Sequence, residues 1–225
     1  MKKLDISKCA AGLALLLLAL TRQTSAQSSV SLRSDTQQWN DVQFYVPLNK
    51  QIDFVLLGTL RIGRDISHPV DERIGAGFAF KVGKYLTVIP NYLHITTQPF
   101  RGLSLYENRL SVQATVRKPL GKFLLSDRNL FERRLRHPGG DSTRYRNRVQ
   151  IEHPLLVKKK LNLFVSDEIF YDWRLNDWVR NRFQVGVSKV FNKHFTLDLY
   201  YLRQNDGRSL PGNLNVIGST WRLRR

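Results

Sequence analysis

Arginines and carboxylates recur two residues apart along this chain. Arg146 with Arg148 and Arg180 with Arg182 are such pairs, and Glu107 with Arg109 is a mixed one. Residues two apart in an extended strand share a face. Collected from the mixed faces of successive segments, the acids are Asp53, Glu107, Glu132, Glu152, Glu168 and Asp198. The bases are Arg61, Arg73, Arg109, Arg128, Arg134, Arg146, Arg148, Arg180 and Arg182. A planar guanidinium pairs a carboxylate bidentately, so the simplest product of these residues is an ion-pair network. Six acids do not neutralise nine bases. A buried guanidinium left unpaired needs water or an anion, and rings of arginine and lysine are how anion pores select. Lys81, Arg117, Arg144 and Arg222 are set apart because they lie nearer the segment ends.

Other chemistries find less support. His68, His137 and His153 sit beside prolines in turn-like segments, and His194 ends another such segment. His94 alone falls mid-segment, with no serine or acid at a telling spacing, so a hydrolytic triad is the weaker alternative. No His or carboxylate cluster has metal-ligand spacing, and no cofactor is expected. Gly75-Ala76-Gly77 lacks the strand–helix setting of a phosphate loop. The single cysteine, Cys9, precedes the apolar run of a leader, which leaves no thiol chemistry after it.

The elements that must carry the charged faces are strands. Short lysine-bearing turns begin at 47, 83, 118, 153 and 191, and longer polar segments fall between them at 64–71, 98–104, 136–142, 174–178 and 205–212. Between these, apolar and mixed positions alternate with period two. Ile52, Phe54, Leu56, Leu60 and Ile62 alternate with Asp53, Val55, Leu57, Thr59 and Arg61, and Leu110, Val112, Ala114 and Val116 alternate with Arg109, Ser111, Gln113, Thr115 and Arg117. Strands of about 9–11 residues cross a bilayer when tilted, and a closed ring leaves no edge unpaired in lipid. The expected fold is therefore all-β, an up-and-down antiparallel transmembrane β-barrel of about 12 strands, with 10 as the fallback. The twelfth is a short segment over 28–33, which would carry the chain up to the loop side before the first clear strand at 38–47. Asp167 would then face lipid beside Leu163 and Val165 unless a bulge shifts the register. A soluble periplasmic β-sandwich shares the alternation and is the alternative fold.

Trp39, Trp173, Trp178 and Trp221 lie near strand ends, where amphipathic rings form interface girdles. The first 26 residues read as a cleaved export signal. Lys2, Lys3 and Lys8 precede an apolar run over 10–20, and Ala26 closes a small-residue cleavage site. Residues 27–225 then form a single barrel domain. The net charge of +18 would suggest nucleic acid in a cytosolic protein; in an exported one it suggests anionic lipids and polysaccharides.

Several short motifs, in order, resemble a family of bacterial proteins called domain of unknown function 2490. They are Gln38-Trp39-Asn40-Asp41, the run from Arg128 to Arg134, Asp167-Glu168-Ile169-Phe170-Tyr171, the run from Asn181 to Gly186, and Leu199-Tyr200-Tyr201 followed by Arg203-Gln204. The resemblance covers nearly the whole chain after the signal. It implies an outer-membrane barrel and carries no activity. The expected partners are outer-membrane lipids and lipopolysaccharide, the barrel assembly machinery and small anionic solutes, with no nucleic acid. The expected function is a structural or small-channel barrel, with an outer-membrane lipid- or lipopolysaccharide-modifying enzyme as the alternative.

Overall fold

The computed structural model describes residues 33–100 and 102–225, with the backbone alone at Pro99 and Phe100. The signal segment, its cleavage at Ala26 and residues 28–32 of the expected first strand lie outside the described residues. Eleven strands follow in order: β1 Ser34–Pro47, β2 Ile52–Gly63, β3 His68–Val82, β4 Leu86–Phe100, β5 Leu103–Leu120, β6 Phe123–His137, β7 Ser142–Leu156, β8 Leu161–Asp172, β9 Asp177–Val190, β10 Phe195–Asp206 and β11 Asn213–Arg224. Each is antiparallel to the next, and the ring closes where β1 meets β11.

Closure corrects the strand count. The described residues form eleven strands, neither twelve nor ten. The even-number expectation required every neighbour to be antiparallel. Here β1 and β11 run in the same direction and pair in parallel, from Ser34 opposite Asn213 to Tyr45 opposite Arg224. A parallel ladder occupies the backbone groups of both edges, so the ring is complete without a twelfth strand. One closed sheet also excludes the two-sheet sandwich.

The two faces of the ring are inverted relative to a soluble protein. Ile74 and Ile217, on the outer face, are 70% and 61% exposed, whereas Glu132 on the inner face is 2% exposed. Lipocalin-like barrels place their apolar residues inside; this one places them outside, as a membrane-spanning barrel must. Aromatic residues band the outer wall at both ends. Tyr171, Trp173 and Trp178 stack edge-on near one end, and Phe191, Phe195 and Trp221 stack near the other.

The strands are longer than the expected eleven residues, from 12 in β2 to 18 in β5. The bilayer fixes only the minimum crossing length, and pairing continues beyond it. The segments read as long loops shrink accordingly, to 64–67, 138–141, 173–176 and 207–212, with Gly102 just before β5. We call their side the loop end. The opposite, turn end carries 48–51, 83–85, 121–122, 157–160 and 191–194. Gly121 has φ +61°, which a two-residue hairpin turn demands and a glycine adopts without strain.

Asp167 stays on the outer face. The irregularity in β8 against β9 falls between Phe170 and Tyr171, beyond Asp167, so it does not turn the carboxylate inward. Asn181 donates to both its oxygens at 2.9 and 3.1 Å instead.

Candidate functional site: the arginine lattice of the lumen

Register stacks the inward residues of β6 to β10 into rows across the wall. One row runs Arg128, Arg148, Glu168, Arg182 and Gln204; the next toward the loop end runs Leu130, Arg146, Phe170, Arg180 and Asp206. On the turn side lies a neutral row of Ser126, Gln150, Ser166 and Gln184. The charged i, i+2 pairs of the sequence therefore become two adjacent rungs of one surface.

Three carboxylates hold most of the lattice. Glu132 accepts from Arg109 Nη1 at 3.2 Å, Arg144 Nε at 2.7 Å and Arg146 Nη1 at 3.0 Å. Glu107 accepts from Arg109 Nε at 2.6 Å and takes a forked pair from Arg134, with Nη2 at 2.7 Å. Glu168 accepts from Arg146 Nε at 2.9 Å and from Arg128 Nη2, with Arg182 Nη1 3.9 Å away. Arg180 Nε donates to Asp206 at 2.6 Å. Arg134 Nη1 lies 3.8 Å from Asp172. Multiple charge-assisted bonds of this kind offset the desolvation that an isolated buried charge would suffer.

Two aromatic residues complete the waist. Phe170 is fully buried, with the guanidinium carbons of Arg144, Arg146, Arg180 and Arg182 between 4.6 and 5.4 Å from its ring centre. Cations over an aromatic face are attracted by the ring quadrupole. Trp39 corrects the girdle assignment: it faces inward and is 3% exposed. Its ring lies under Arg61 at 3.7 Å and Arg182 at 4.8 Å, and its Nε1 donates to Gln37. β1 begins at Ser34, so Trp39 is well inside the strand rather than near its end. Its place on one strand face with the polar residues Gln37, Asp41 and Gln43 is the sequence signal that would have found this. Trp39 packs with Phe164, Tyr200, Leu202, Leu214 and Val216 into the apolar wall of the lumen. Gly218 belongs to that packing, because a Cβ there would collide with the Tyr200 ring.

Every arginine named from the sequence faces inward, but they are not equivalent. Arg109, Arg128, Arg134, Arg146, Arg180 and Arg182 join the lattice with Glu107, Glu132 and Glu168. Arg144, set apart as a strand-end residue, is a full member, because β7 starts two residues before it. Asp172 and Asp206 are members that the sequence reading did not name, Asp206 because it falls in a segment read as a loop; each is the last residue of its strand. Glu152 belongs elsewhere, near the turn end with Arg117 at 2.8 Å. Arg148 lies between Arg128 and Glu168 in register, yet among the described residues it makes no ion pair and no side-chain hydrogen bond, and its Nε is buried without a partner. On β5 to β10 the waist holds eight arginines, at 109, 128, 134, 144, 146, 148, 180 and 182, against five acids, at 107, 132, 168, 172 and 206.

Residues 36–215 match the model of a family described as Protein of unknown function (DUF2490). The chain belongs to DUF2490. No curated protein matches it in sequence. Among solved structures, this DUF2490 chain is similar to an anion-selective porin from Comamonas acidovorans, with a TM-score of 0.41 and 14% identity over 78% of this chain and 54% of the porin. It therefore spans about half the length of that porin.

The remaining candidates of the sequence lie apart from the waist. His94 points outward; its Nδ1 is 2.9 Å from Asn108 Oδ1, and its ring stacks on Tyr106. Asn108 Oδ1 also accepts from the Tyr92 hydroxyl at 2.7 Å. Among the described residues no group of three or more His, Cys, Asp or Glu could hold a metal.

Proposed function

We propose that the protein is an outer-membrane barrel whose arginine-rich lumen admits small anionic solutes. The single observation that carries this reading is the imbalance at the waist, eight guanidiniums against five carboxylates, with Arg148 unpaired. A positive surface with low-dielectric walls concentrates counter-ions. The turn end faces the periplasm and the loop end the exterior, and the aromatic bands meet outer-membrane lipid and lipopolysaccharide. The barrel assembly machinery inserts the exported chain.

The test is conduction by the purified barrel in planar bilayers under a salt gradient. The expected result is a small conductance whose reversal potential marks anions as the preferred carriers. Replacing Arg146, Arg148, Arg180 and Arg182 together with glutamine reduces that preference. A folded barrel that passes no current, or one that prefers cations, overturns the conduit. Phe170, buried beneath four guanidiniums, would then be the centre of a sealed structural plug.

A further inference from the structure

We infer that Arg128 and Arg148 form a binding site for one tetrahedral oxyanion, a phosphate group, reached from the turn end of the lumen. The inference rests on the reading of the lumen as cationic and solvated, and it assigns that property to one place.

Four observations converge there. Arg128 and Arg148 are directly opposed on β6 and β7 and share the inward face. The Nε of each is buried without a hydrogen-bond partner. The local charge is strongly positive: Glu168 is the only carboxylate in their row, and it already serves Arg128, Arg146 and, at 3.9 Å, Arg182. The row on the turn side contains no carboxylate; in it Gln150 donates to Glu152 and Ser166 donates to Gln184, which leaves the hydroxyl of Ser126 facing the pair. Ser126 makes no side-chain hydrogen bond among the described residues.

These features select a class of ligand. Arg128 is already paired with Glu168, but Arg148 has no counter-charge of its own; a buried guanidinium in that state is costly, so Arg148 recruits an anion beside Arg128. Each guanidinium presents two parallel N–H groups along an edge, which match two oxygens of an oxyanion. Two opposed guanidiniums with a hydroxyl one rung away call for an acceptor with oxygens in more than one direction, as in phosphate. A halide offers charge without that geometry. Both arginines keep part of their side chains accessible, so an anion can reach their outer nitrogens.

The experiment titrates inorganic phosphate into the purified full-length barrel in neutral detergent, at constant ionic strength, and reads heat by calorimetry. Chloride and a hexose phosphate are run as separate arms. The expected result is one phosphate per barrel, with chloride binding weaker. Arg148→Gln weakens phosphate binding about tenfold or more, the scale of losing charge-assisted bonds. Arg148→Lys, which keeps the charge and loses the fork, falls between the two. Arg133→Gln, on the outer wall beside Asp141, leaves binding unchanged. Folding of each variant is checked by its faster migration when unheated. Equal binding of inorganic and hexose phosphate means the site reads the phosphate alone; tighter hexose phosphate means it serves a larger solute, and both support the site. Failure of folded wild-type protein to bind phosphate, or undiminished binding by Arg148→Gln, overturns it. Conduction separates the two proposals: anion current without phosphate binding sinks the site and leaves the lumen reading standing, whereas Arg148-dependent binding without current does the reverse.

Discussion

The barrel contains the same chemical pair at two levels, and the levels are built differently. At the waist, carboxylates are shared: Glu132 serves Arg109, Arg144 and Arg146, all deep inside the lumen. Near the turn end no acid serves more than two bases, and the bases themselves reach water. Arg117, which is 54% exposed along its side chain, meets Glu152; Arg222 meets Asp198; Lys81 and Arg224 meet Asp53. Exposed pairs contribute little, because water competes for both charges and the side chains must be ordered. Buried shared carboxylates are different, since removing one strands several charges at once. The difference teaches where the cationic surplus resides. It belongs to the waist, where acids are shared and Arg148 has none, and not to the rim, where bases reach water.

Removing the acid at the centre of the lattice tests this most severely. Glu132→Gln is expected to destabilise the barrel by about 3–5 kcal/mol, the scale of breaking a buried ionic cluster, in reversible unfolding by urea in detergent. An effect no larger than that of an exposed pair would mean that water reaches the waist as freely as the rim. Trp39→Ala should cost about 3–5 kcal/mol as well, through the cavity left on the apolar wall. Trp221→Ala, which removes a ring that faces outward and is 41% exposed, should cost clearly less.

The sharper comparison uses two arginines on one strand face. Arg146→Gln removes a partner from both Glu132 and Glu168, whereas Arg148→Gln removes no pair. The first should destabilise by several kcal/mol and the second should be neutral or stabilising in phosphate-free buffer, because an unpaired buried charge is lost. Equal destabilisation would show that Arg148 has a partner after all. Smallest of all, Arg117→Gln should change stability by about 0–1 kcal/mol, and that effect should vanish in high salt.

Much of this arrangement was legible in the sequence because strand periodicity is strict. Once Arg146 and Arg148 alternate with Asn147 and Val149, their common facing follows, and Arg180 with Arg182 repeats the argument. The errors trace to strand ends. Trp39 and Arg144 were misassigned because β1 and β7 start earlier than their hydrophobic alternation suggests, on polar residues such as Ser34 and Ser142. Asp206 was hidden in the same way, because β10 runs into the segment 205–212 read as a loop. The parallel seam was not legible, because alternation fixes which face a residue takes and says nothing of which strands meet at closure. Nor could spacing distinguish Arg148 from Arg146. That difference depends on how many guanidiniums reach Glu168 and Glu132 from neighbouring strands, which only the register decides.

In the proposed conduit the waist, and not the rim, sets the sign of the lumen. Two double variants remove equal charge at the two levels: Arg148→Gln with Arg182→Gln at the waist, and Arg222→Gln with Arg224→Gln near the turn end. The measurement is the reversal potential of each in planar bilayers under the same salt gradient, beside the unmodified barrel. The waist variant is expected to lose most of its anion preference while the rim variant keeps nearly all of it. A rim variant that loses its selectivity while the waist variant retains it would place the selective charge at the rim instead.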